Sequence, residues 1–126
     1  MKITFAQEMQ LCKALLAAQG MPAEDAEILG SSVAHSDFTG IYSHGLSRFA
    51  NYLKRFANGA MKPDAALTIT NDTGATVAYD CDNGCGVVSL THVYRQMAPR
   101  AKEHGIATCS LNKELYADPA TANEII

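Results

Sequence analysis

The sequence is first informative through what it lacks. No continuous apolar run is long enough for a signal-peptide core or a membrane span, so a soluble, cytoplasmic protein is expected. Neither charge sign dominates: 10 Lys and Arg stand against 13 Asp and Glu, a net charge of -3. That balance gives no electrostatic reason to expect nucleic acid or an anionic membrane as partner. The four cysteines, at 12, 81, 85 and 109, lack C-x-x-C spacing and have no histidine cluster near them. Metal binding is not expected, and reduced thiols are the simpler account. No internal repeat and no low-complexity segment interrupts the chain.

What is present suits one modest domain: 126 residues with 48% hydrophobic content. Thr4-x-x-Gln7 forms a capping box for a first helix, with Phe5, Met9, Cys12, Leu15 and Leu16 as its apolar stripe. Gly20 suits that helix's end, and Pro22 the first turn of a second, with Glu24 and Asp25 near its positive terminus. The second helix runs through Ala26, Leu29, Val33 and Ala34 and stops before Gly40. Leu46, Phe49, Leu53 and Phe56 mark a third, closed by Asn58-Gly59. Three short helices with brief connections should pack as a small helical unit.

The composition then changes. Met61 to Ala65 reads as a connector around Pro63. Leu67–Thr70 and Ala75–Tyr79 are β-branched and alternating, and Asn71-Asp72-Thr73-Gly74 between them has turn chemistry, which predicts an antiparallel hairpin. A long helix is expected from Val87 to Glu103, with Leu90, Tyr94, Met97 and Ala101 along one side and Pro99 kinking or shortening it. Gly105 ends it, and Ile106–Leu111 reads as another strand. The expected class is therefore mixed α/β (α+β).

The stretch most suited to chemistry is Gly40-Ile41-Tyr42-Ser43-His44-Gly45-Leu46-Ser47-Arg48. It reads as a loop turning into the third helix, with Ser43 as N-cap and the helix starting near His44. His44 and Arg48, at i and i+4, would then share one helical face. A histidine exchanging a proton near neutral pH beside a forked, permanent cation suits a small oxo or hydroxy acid. Arginine holds the carboxylate while histidine exchanges a proton with the neighbouring oxygen. Taken alone, the same pattern also describes a solvated helix face.

The run from Ser36 to Phe49, Ser-Asp-Phe-Thr-Gly-Ile-Tyr-Ser-His-Gly-Leu-Ser-Arg-Phe, resembles the N-terminal signature of the malate/L-lactate dehydrogenase family that lacks a Rossmann fold. Its Tyr-Ser-His-Gly-x-x-Arg-Phe form is most similar to the 2,3-diketo-L-gulonate reductase branch, and the likeness extends from about Ile3 to Leu111. The resemblance implies NAD(H) or NADP(H) as cofactor, a small 2-oxo or 2-hydroxy acid as substrate, and a homodimer for full-length relatives. It implies His44 as proton donor and Arg48 as the carboxylate ligand, with Tyr42 and Ser43 as further substrate-side candidates. It also implies a division into residues 1–60 as the substrate-side helical unit and 61–111 as the beginning of the cofactor-binding domain. Residues 112–126 then form a divergent or truncated tail, whose last residues read as the start of a helix.

The departures matter too. Family members are more than twice this length, and the family pattern continues with an asparagine-histidine turn and a glycine-rich segment. This chain has neither histidine nor glycine after Gly105. One alternative is therefore an inactive truncated remnant, or a module docking onto a full-length homologue. Another is a small dinucleotide-binding domain built on Gly84-Cys85-Gly86, which follows a predicted strand and precedes a helix. Serine stands at position 89 where that fingerprint wants its third glycine, which weakens the match. His35, His92 and His104 have no partner at catalytic spacing and read as structural or surface residues.

Overall fold

The computed structural model describes residues 2–115. The chain divides into two compact units, with the boundary after Asp64.

The first unit holds α1 (Phe5–Ala18), α2 (Ala23–Phe38), a single 3-10 turn at Tyr42–His44, and α3 (Leu46–Ala57). The capping box forms as read: Thr4 N–H donates to Gln7 at 2.8 Å and Gln7 N–H to Thr4 at 3.2 Å. Pro22 is the N-cap of α2 and lies just outside its first turn. The helix ends share one device. Gly20 and Gly40 take left-handed φ of 85° and 84°, which lets Met21 N–H return to Leu16 C=O at 3.1 Å and Ile41 N–H to Ser36 C=O at 2.8 Å. The α1 stripe differs from the expected one. Glu8, Cys12 and Leu16 are buried, whereas Phe5 and Leu15 are more than a third exposed. The i, i+4, i+8 series that meets α2 is therefore rotated from the apolar pattern, and it takes a carboxyl inside. Gly30 lies where α2 approaches α1, with Cys12 Cβ and Lys13 Cγ each 3.4 Å from where its own Cβ would stand. On α3 the core face is Phe49, Tyr52 and Phe56; Tyr52, rather than Leu53, is buried. Met61, read as connector, is fully buried, and its N–H bonds Arg55 C=O at 3.1 Å.

Among the described residues, the second unit forms a three-stranded sheet, β1 (Thr68–Asp72), β2 (Thr76–Cys85) and β3 (Thr108–Leu115), in the order β1-β2-β3, with α4 (Gly86–His104) crossing between β2 and β3. The predicted hairpin is present, pairing Ile69 with Tyr79 antiparallel, and β3 joins β2 in parallel. A parallel partner needs a crossover of this length, and α4 supplies it. Val77, Tyr79 and Cys81 alternate inward from β2 and meet Val93 and Met97 of α4. The buried side of α4 thus runs through Val93, with Leu90 half-buried and Tyr94 38% exposed at its margin, one position from the expected stripe. Pro99 does not shorten the helix, which continues to His104. The third strand starts two residues later than expected and runs four further, to Leu115. Asp82 and Asn83, both at positive φ, form an irregularity between Asp80 and Gly84 in the β2–β3 register. The helix start expected near residue 123 lies outside the described residues.

Candidate active site

The α2 C-terminal bond from Ile41 to Ser36 turns the chain back, and Tyr42–His44 follow as one 3-10 turn rather than the first turn of α3. Gly45, at φ -84° and ψ -143°, separates that turn from α3. His44 and Arg48 therefore do not share one continuous helical face; they flank the junction between two elements. Arg48 sits in the first turn of α3, its N–H donating to Gly45 C=O at 3.0 Å. Both side chains are half-buried, and Tyr42 is 69% exposed.

Ser43 does not cap α3. Its hydroxyl lies 2.9 Å from His44 Nδ1, so it fixes the imidazole instead. Capping falls to Asp37, which accepts the Leu46 N–H at 2.7 Å from across the turn. A carboxylate at a helix N-terminus satisfies an orphan amide and complements the helix dipole. It also explains Gly45, where a Cβ would overlap the Asp37 carboxylate. The sequence reading assigned Asp37 no role, because a cap nine residues away leaves no local signature.

Glu8 is the second omission. It is 2% exposed, neighbours the Asp37 carboxyl, and has Oε1 without a partner among the described residues. Burial first, and then the adjacent Asp37, push its carboxyl up to about 7. The Cys12 thiol, one turn on, is pushed up to about 12 by burial and by the same two carboxyls. It is neutral at physiological pH and is no nucleophile. The available signal was positional: Glu8 precedes Cys12 by four residues and Leu16 by eight, on the face that packs.

The Gly84-Cys85-Gly86 turn lies where β2 ends and α4 begins. At Gly84 a Cβ would meet Ala65 Cβ at 2.7 Å and the Cys81 carbonyl at 3.0 Å, so close packing leaves no room for a side chain there. Gly86 is buried as the first residue of α4. The glycine at 84 is required by packing.

A chain with this helical unit, a βαβ crossover and a Ser-His-Gly-x-x-Arg junction can be compared with known proteins. The sequence profile of the malate/L-lactate dehydrogenase family matches residues 3–115, and the chain belongs to that family. It is 30% identical over 111 residues to the 2,3-diketo-L-gulonate reductase of Citrobacter koseri, covering 88% of this chain and 33% of that protein. In fold it is similar to the sulfolactate dehydrogenase of Methanocaldococcus jannaschii, with TM-score 0.86 and 27% identity over 90% of this chain and 33% of that one. A dehydrogenase from Sinorhizobium meliloti is similar too, with TM-score 0.86 and 26% identity over 92% of this chain and 36% of that one. The chain thus spans about a third of the length of these relatives.

Proposed function

We propose that this chain is the N-terminal portion of an NAD(P)-dependent oxidoreductase that reduces a 2-oxo acid of the 2,3-diketo-L-gulonate kind. The observation that carries the reading is the junction at Gly45, where an imidazole held by Ser43 precedes an arginine in the first turn of α3. Ser43 lies 2.9 Å from Nδ1, which supports a fixed orientation of the imidazole. His44 protonates the carbonyl oxygen of the substrate, and the reverse reaction uses it as base. Arg48 holds the substrate carboxylate in a two-pronged grip beside the positive end of α3. Tyr42 lies beside them as a substrate-side hydroxyl. Nicotinamide, when bound, supplies the hydride. The similarity to the 2,3-diketo-L-gulonate reductases supports the substrate class.

The test is a chimera in which residues 2–115 replace the matching segment of the C. koseri reductase. His44→Ala is expected to lower turnover by roughly two to four orders of magnitude, because acid catalysis acts in the transition state. Arg48→Ala is expected chiefly to raise KM, and Arg48→Lys to recover little of it. Near-normal turnover in the His44→Ala chimera overturns the assignment.

A further inference from the structure

We infer that Asp37 is a positioning residue for His44, holding the His44–Gly45 turn against the start of α3, and that Glu8 carries the proton that lets the two carboxyl groups lie together there. The importance of His44 rests on the function proposed above, whereas the positioning is a property of the fold alone.

Three observations converge on Asp37. Its Oδ2 accepts the Leu46 N–H at 2.7 Å, fixing the residue two places after His44. Its carboxylate occupies the space that a side chain at position 45 would need. Its own carbonyl accepts the Gly40 N–H at 3.2 Å, inside the bonds that end α2. One residue thus joins the end of α2 to the beginning of α3, with the His44 turn between them.

Glu8 reaches the same point from α1. The buried Glu8 carboxyl and the half-buried Asp37 carboxyl are neighbours and cannot both ionise without strong repulsion, so a proton on the pair is a condition of the arrangement. From α1 the pair faces Cys12, whose thiol stays protonated. From α2 it faces no ionisable group other than Asp37 itself among those acting on Glu8. From the segment entering α3 it meets the Leu46 amide and the helix dipole. The shift of Glu8 toward neutrality follows from burial and from Asp37. Loss of its proton sets two carboxylates against each other directly behind the His44 turn.

The experiment is NMR of the full chain between pH 5 and pH 9. The Glu8 carboxyl carbon is expected to titrate near 7, with the Leu46 amide proton moving in step. Glu8→Gln keeps a neutral donor to Asp37, so it should retain slow amide exchange at Gly45 and Leu46 at pH 6 while losing the step. Asp37→Asn, which removes the charged acceptor, should speed exchange of those amides by about tenfold or more and draw the Glu8 midpoint back toward 4.5. The step should persist in His44→Ala, because it originates in the carboxyl pair. Failure of His44 as proton donor would therefore leave these results unchanged. A Glu8 midpoint at the ordinary carboxyl value overturns the inference, as does a Leu46 amide indifferent to both variants.

Discussion

A carboxyl group removed from water is either paired with a cation or neutral, and Glu8 takes the second course. Its pKa rises from 4.5 in the unfolded chain to about 7 in the folded one, so the native state binds the extra proton. Such a group stabilises the fold below pH 4.5, and that contribution drains away as pH rises to about 7. Urea unfolding at pH 5 and pH 8 should show the wild type losing stability over this interval relative to Glu8→Gln. Parallel changes in the two proteins would mean that Glu8 titrates normally. The sequence concealed this residue because a glutamate beside Gln7 and Gln10 reads as surface. Only the packing of α2 decides which face of α1 is inside. Asp37 was hidden for a related reason, since its cap spans nine residues and a turn.

At the scale of elements, most of the fold was legible. The capping box, the helix-ending glycines and the hairpin rest on interactions between residues a few positions apart. The misplacement came at the His44 junction, where Ser43 had the chemistry of a cap but its hydroxyl went to the imidazole. A tertiary carboxylate took the amide that Ser43 was expected to satisfy. His44, Ser43, Arg48 and Tyr42 were nevertheless all placed at one junction. The hairpin carries its own clamp. Arg100 of α4 grips Asp72 with both nitrogens, at 2.8 and 2.6 Å, and bonds Gly74 C=O at 2.9 Å. Hydrogen bonding from Arg100 holds the Asp72 carboxyl below its ordinary range. The clamp is therefore in force above that range and is lost as pH falls through the lowered value. Asp72→Asn should loosen the turn, read as amide exchange at Thr73 and Gly74 several-fold faster with α4 unaffected. Unchanged exchange would reduce the clamp to a surface contact.

For the chain as a whole, what the sheet leaves open at its edges matters most. β1 and β3 are its two edges among the described residues, and all five residues of β1 are exposed. Edges of this kind recruit further strands. The chain by itself should associate with rising concentration, seen as a mass above that of the monomer in light scattering. A monomer with a cooperative transition well above about 65 °C would contradict that expectation. Family membership was legible because the His44 motif and its flanks lie within the segment this chain shares with its relatives.

The central claim is that His44 gives its proton to the substrate, and the pH profile of turnover in the chimera tests it most directly. In the reductive direction the account predicts activity falling as pH rises, because an acid must be protonated to donate. In His44→Gln that limb should be gone and turnover about a hundredfold lower or less still. A His44→Gln chimera with near-normal turnover and the wild-type profile would contradict the account.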